Sequence, residues 1–210
     1  MIPHRTPFIL PLLYPTLHWR LPAEGKSLYL TFDDGPVPGP TEFVLETLAH
    51  NAVLATFFCI GENIERHTDL FRRLIAAGYQ VGNHTHKHRN GWRTANDLYL
   101  DDIRKCDQVL QEATPVAGVV PFRPPYGRIT RSQIRALGSR PIIMWDVLSF
   151  DYNDKLSPDR CLKHTLRAIR PGSIIVYHDS YKAERNLTYS LPRLISECLN
   201  RGYTFKRLPV

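Results

Sequence analysis

An α/β chain folded as an irregular (β/α)7 barrel is predicted by three features of this 210-residue sequence. Short apolar and β-branched runs alternate with segments of helical spacing along the chain, the pattern of parallel strands joined by helical crossovers. Residues of catalytic type fall just after those runs: Asp33 and Asp34, the cluster at His84, Arg123, Asp151, and His178 with Asp179. A barrel gathers the carboxyl ends of all its strands around one site, whereas an open doubly wound sheet offers a single crevice, so five polar positions favour the barrel.

The elements follow in order. Leu28 to Phe32 is a buried strand closed by the Gly35-Pro36 turn, and Thr41 to His50, entered through Pro40, is helical. Val53 to Ile60 is the second strand. Ile64 to Ala77 puts Ile64, Leu70, Leu74 and Ile75 on one side of a helix that Gly78 ends. Gln80 to Gly82, Gly118 to Phe122, Pro141 to Trp145, Ser173 to Tyr177 and Tyr203 to Lys206 complete seven strands. Helices over Ala95 to Gln111, Thr130 to Leu137, Pro158 to Ile169 and Leu191 to Asn200 lie between them, the last closed by Gly202. No repeat or Ser/Gly-rich linker divides the chain. One domain is expected over residues 27–210, with residues 1–26 an extension packing on the barrel.

Composition narrows the function. Apolar residues make up 43% and charged residues 22%, which excludes disorder. The net charge of +7 comes from scattered residues with clusters no longer than Arg72-Arg73, and no nucleic-acid module accompanies it, so no nucleic-acid partner is expected. Cys59, Cys106, Cys161 and Cys198 form no Cys-x-x-Cys and read as free buried thiols. The apolar stretch from Phe8 to Tyr14 is broken by Pro11 and flanked by Pro7 and Pro15, with no cleavage signature after it. A signal peptide is therefore not expected, and the cytoplasm is the default with a cell-envelope substrate left open. No run approaches the roughly 20 apolar residues of a membrane span.

The chemistry lies in two blocks, Thr31-Phe32-Asp33-Asp34-Gly35-Pro36 and His84-Thr85-His86-Lys87-His88. Neighbouring side chains on a strand point opposite ways, so one Asp can hold a metal while the other handles a proton. His84 and His88, four apart, share a face on a helical turn. Two histidines and one carboxylate leave a zinc coordination position open for water. Either block alone is more often a solvated turn or a polar helix face; their conjunction points to a hydrolytic metal site. Phe122-Arg123-Pro124-Pro125-Tyr126-Gly127 holds an Arg before a stiff turn, where it can orient a carboxylate or belong to an ordinary loop. The run from Trp145 to Tyr152 is a sugar-binding wall or a barrel rim, and Ile174 to Asp179 brings His178 out of a buried strand.

With these five blocks in order, the chain resembles the polysaccharide deacetylases of carbohydrate esterase family 4, the NodB homology domain, over nearly its whole length. The resemblance implies removal of acetyl groups from an acetylated carbohydrate, such as an N-acetylglucosamine-containing chitooligosaccharide or peptidoglycan, with O-acetyl xylan also compatible. It implies that Asp34, His84 and His88 bind the metal, usually zinc, with cobalt or nickel as substitutes, and that His86 does not. Asp33 would be the base, Arg123 its orienting partner, the Tyr126 backbone N–H an oxyanion donor and His178 the acid. Substitution of Arg123 is expected to be milder than that of Asp33. Pro125, Trp145, Asp151, Tyr152 and Val176 would line the substrate, Val176 and Tyr152 replacing the family's usual Leu and Trp. Leu148 stands where the family commonly has an Asp that contacts the acid. Asp146, two residues earlier and on the same strand face, is expected to reach His178 instead. Two alternatives compete: a phosphohydrolase with an Asp nucleophile, which leaves the histidine block without a task, and an impaired deacetylase fold that only binds glycans.

Overall fold

The computed structural model describes residues 4–22, 25–113 and 118–209. Strand β1, Ser27–Asp33, is buried along its whole length. It runs through the middle of a sheet covered on both faces, so its sequence shows no polar alternation. It pairs in parallel with β2 (Thr56–Cys59) on one side and with β5 (Ile174–His178) on the other. Beyond β2 lies β3 (Gln80–Asn83) and beyond β5 the two-residue β4 (Val147–Leu148), while β6 (Thr204–Phe205) pairs with the start of β1. The order is β3-β2-β1-β5-β4, all parallel.

Two of the seven expected strands are not regular strands. The run from Gly118 to Phe122 contributes only bridges from Phe122 to Asn83 and Ile142, and the run from Pro141 to Trp145 only those from Ile142 and from Ile143 to His18. Pro121, Pro124, Pro125 and Pro141 have no N–H to give a ladder, so pairing there is limited to isolated residues. The sheet is consequently not closed, although these bridges continue its curvature in the manner of the irregular barrel.

Helices cover the sheet: α1 (Ile9–Leu13), α2 (Pro40–His50), α3 (Gly61–Arg66), α4 (Thr68–Ala76), α5 (Asn96–Ala113), α6 (Arg131–Ala136), α7 (Pro158–Ala168) and α8 (Glu184–Asn200). The single helix expected from Ile64 to Ala77 is two, because His67 takes φ −132° between them. Helix α8 starts at Glu184 and not at Leu191. Pro192 lies inside it, and buried Asn186, Leu187 and Ser190 on the preceding turns pack inward and carry the helix through the proline. Thr130 caps α6 by accepting from the Gln133 N–H, and Ser157 caps α7 by accepting from that of Arg160.

The N-terminal stretch is laced to the barrel through bridges from Arg5 to Val147, His18 to Ile143 and Arg20 to Ser173. Residues 1–3, 23 and 24 of the expected 1–26 extension lie outside the described residues. All four cysteines are free and buried. Among the described residues no helix is long and apolar enough to cross a membrane.

Candidate metal centre

Asp33 closes β1 opposite His178 on β5, their Cα atoms directly paired across the ladder. Its Oδ1 accepts from Arg123 Nη1 at 2.7 Å. Arg123 is fully buried, lies 4.1 Å over the Phe58 ring, and also donates to Thr31 Oγ1 and to the carbonyls of Ile143 and Met144. Burial alone would raise the Asp33 pKa. The charge and hydrogen bond of Arg123, with the His178 imidazolium, outweigh it and hold the carboxyl below its ordinary value.

Asp34 departs from the chain direction of β1 with φ 83°. The two carboxyls are therefore separated by a left-handed residue as the strand ends and not by the alternation of a continuing strand. Three groups pin this corner. Asp179 accepts from the Gly35 N–H at 3.1 Å and from Thr41 Oγ1 at 2.6 Å, and Asn63 Nδ2 donates to the Asp34 carbonyl at 2.7 Å. A Cβ at position 35 would lie 2.0 Å from Asp179 Oδ2, so only glycine fits. Burial pushes the Asp179 carboxyl up to about 8.

His84 and His88 do not share a helical turn. They lie in a loop after β3 whose Thr85 and His88 take φ 63° and 53°. Asn83 Oδ1 accepts from the Thr85 N–H, and Asp102 Oδ2 from the N–H groups of His86 and Lys87, giving the loop its shape from two neighbouring side chains. The rings nonetheless meet, with centroids 5.1 Å apart. His86 turns to Glu65, 3.6 Å from its Oε2.

Asp34 Oδ1 lies 3.3 Å from His88 Nε2 and 3.7 Å from His84 Nε2, and one ligand atom from each of the three residues falls within 4.8 Å of the others. The three fit a divalent cation on independent grounds. Asp34 Oδ1 is buried with no hydrogen-bond partner. His84 Nδ1 lies 2.8 Å from the Arg123 carbonyl, which fixes the hydrogen on Nδ1 and leaves the Nε2 lone pair facing the other donors. Burial lowers the pKa of both imidazoles, that of His88 to about 4, so both are neutral as ligands must be.

Across the cleft, His178 Nδ1 is 2.8 Å from Asp151 Oδ1, and its backbone N–H donates to Asp151 Oδ2 at 2.7 Å. Burial opposes the imidazolium, but Asp151 more than compensates and raises the pKa to about 9. The cleft has a volume of about 610 Å3. Tyr126, Trp145, Leu148, Tyr152 and Val176 line it around Asp33, Asp34, His84, His88 and His178, and Arg128, Ser180 and Lys182 stand at it as well.

Residues 20–142 match the polysaccharide deacetylase family. The chain belongs to that family. It is 35% identical over 199 residues to the chitooligosaccharide deacetylase of Bradyrhizobium sp. (strain ANU 289), covering 88% of this chain and 90% of the relative. It is 32% identical over 193 residues to the peptidoglycan-N-acetylglucosamine deacetylase of Bacillus cereus, covering 90% and 69%. The crystal structure of the Bc1960 peptidoglycan N-acetylglucosamine deacetylase superposes with a TM-score of 0.87 at 30% identity, covering 97% and 95% of the two chains. Family membership implies a divalent metal, and Asp34, His84 and His88 form a cluster able to hold one.

Within this deacetylase three expected placements are corrected. Asp146 does not reach His178: it accepts from Arg170 Nε and Nη2 at 3.0 and 2.7 Å and from Ser173 Oγ at 2.6 Å, on the side of the strand away from the cleft. Strand β4 is two residues long, and Phe150, with φ 56°, bends the chain so that Asp151 returns to the histidine. Asp151 is in turn 1% exposed with both oxygens engaged, so it backs His178 and does not face substrate. Pro125 is buried and does not line the cleft. The deacetylase also positions its site with Thr41, Asn63, Asp102 and Asp179, none of which the sequence reading assigned; the Asp beside His178 was their one visible signal.

Proposed function

We propose that this deacetylase hydrolyses the acetamido group of N-acetylglucosamine units in an oligo- or polysaccharide, with Asp34, His84 and His88 holding zinc, or cobalt or nickel in its place. The observation that carries the reading is the convergence of those three ligand atoms between an arginine-paired Asp33 and an aspartate-paired His178 in one cleft. The substrates for which the chitooligosaccharide and peptidoglycan deacetylase relatives are named support the sugar. When bound, the cation supplies Lewis acidity, polarising the acetyl carbonyl and lowering the pKa of water.

The side chains perform the proton transfers. Asp33, kept ionised and aimed by Arg123, takes a proton from the attacking water as its oxygen bonds to the carbonyl carbon. The Tyr126 N–H, carried on a left-handed residue, donates to the developing oxyanion, and donors of this kind contribute about 2.7–4 kcal/mol. His178 gives its proton to the nitrogen as the C–N bond breaks, releasing amine and acetate. Leu148 and Val176 offer an apolar wall for the acetyl methyl, and Trp145 and Tyr152 offer ring faces for the sugar.

Acetate release from a panel of acetylated oligosaccharides, with zinc or cobalt supplied, tests the reading. Asp33→Asn is expected to abolish turnover with the metal content intact, since an amide keeps the shape but accepts no proton. Loss of metal in that variant would exchange the roles of Asp33 and Asp34, and a wild-type protein that binds metal and glycan but releases no acetate would reduce the molecule to a glycan binder.

A further inference from the structure

Helix α1 buries none of its residues. Phe8, Ile9, Leu12 and Leu13 are 82%, 46%, 68% and 54% exposed, and at helical spacing Ile9, Leu12 and Leu13 share one face. The helix is seated by other contacts: Leu10 and Tyr14 pack against the cluster that includes Leu17, Trp19 and Ile142. Single exposed apolar residues are ordinary, but four in one short segment mark a surface that meets something apolar.

The surroundings indicate what. Beside α1 opens a second cavity, about 680 Å3, where Phe8, Pro11 and Trp19 face Arg5, Arg20 and Arg170. Arg5 is fixed there by two hydrogen bonds to the Ala168 carbonyl and Arg20 by one to that of Pro171. Arg131 stands over the Tyr14 ring. Among the described residues Asp146 is the one carboxylate lining the cavity, and it is buried against Arg170 and Ser173. An apolar knob ringed by guanidinium groups, on a chain of net charge +7, complements a surface that is apolar inside and anionic at its boundary.

We propose that this face docks on an anionic phospholipid surface, with Phe8, Ile9, Leu12 and Leu13 entering the boundary between headgroups and acyl chains and Arg5 and Arg20 meeting the phosphates. Docking would hold the catalytic cleft close to the bilayer. Thr6 bonds the carbonyls of Trp145 and Asp146 at 2.6 and 2.8 Å, and the Trp145 side chain lines the cleft.

Co-sedimentation of the full chain with phosphatidylcholine vesicles, with and without phosphatidylglycerol, tests the proposal independently of catalysis. Binding is expected only to the vesicles containing phosphatidylglycerol and is weakened by salt. Arg20→Gln should weaken it about fivefold. The double variant Phe8→Ser, Leu12→Ser should weaken it more than about tenfold, with thermal melting unchanged because both side chains are exposed. Failure of the wild type to sediment at low salt, or equal binding by the double variant, would overturn the proposal. A dimer in solution that the same double variant dissolves, with no vesicle binding, would overturn it in favour of a second copy of the chain.

Discussion

Asp151 accepts two hydrogen bonds from one residue, ring and backbone of His178, and this double grip sets both the direction and the charge of the imidazole. Replacing it with Asn keeps the shape and removes the charge, leaving burial opposed only by the weaker pull of Asp34 and Asp33. The His178 pKa should then fall from about 9 towards or below its ordinary 6.5. Since an acid works only while protonated, the alkaline limb of the kcat/KM profile is expected to move to lower pH in Asp151→Asn, with a rate loss of about fourfold at neutral pH where the pKa reaches 6.5, larger where it falls further, and unchanged metal content. An unmoved profile would remove His178 from the acid role. Asp146→Asn should leave the profile in place and lower the unfolding free energy by about 1–3 kcal/mol through its bonds to Arg170 and Ser173. Arg123, expected to be milder than Asp33 in its effect on turnover, carries a separate cost in stability: fully buried, it neutralises Asp33, and its removal leaves an uncompensated charge, a loss of about 3–5 kcal/mol. That His84, His88 and one of the two Asp residues cluster was legible from residue type and order, but the choice of Asp34 came from the family resemblance, and the loop that brings the two rings together was not legible. Nor was Asp151, because one left-handed Phe150 undoes the two-residue periodicity on which the choice of Asp146 rested.

Strands β1, β2 and β5 were visible in the sequence because each is buried and reads as a largely apolar run, whereas β3, Gln-Val-Gly-Asn, showed only as a short extended stretch before the histidine block. The runs beginning at Gly118 and Pro141 look alike by composition, but their prolines deprive them of donors and leave only bridges. Helix α1 escaped notice for the same reason in reverse: Pro11 within it suggested a break. At this scale the corner between β1 and α2 is the testable element. Gly35→Ala would set a Cβ 2.0 Å from Asp179 Oδ2 and break the carboxylate's bonds to Gly35 and Thr41. Destabilisation of more than about 2 kcal/mol is expected in chemical denaturation, together with weaker metal binding by the adjacent Asp34. A variant with unaltered metal titration would show that the corner does not position the ligand.

Over the whole molecule, buried titratable groups set a direction for pH stability. His178 has its folded pKa raised above its unfolded 6.5, so its contribution is complete below 6.5 and lost as pH rises through about 9. The Asp179 carboxyl, raised from 3.8 to about 8 by burial, loses its contribution over that interval, in the same sense. Protein stripped of metal should therefore be less stable at pH 9 than at pH 6.5, by on the order of 2–3 kcal/mol from His178 alone. Urea denaturation with a chelator present measures this, and a flat or rising stability between those values would show that the imidazolium is not favoured in the fold.

The direct pairing of Asp33 with His178 across β1 and β5 also bears on how this scaffold can be re-engineered. The main-chain positions that carry the two groups proposed to move protons are held at a ladder spacing of roughly 4.8 Å, set by main-chain hydrogen bonds and indifferent to loop length. Loops leaving the carboxyl ends can be exchanged or lengthened to fit bulkier glycans without retuning that spacing. A single-residue deletion inside β5 would turn the imidazole to the opposite face, and no change in a loop could bring it back.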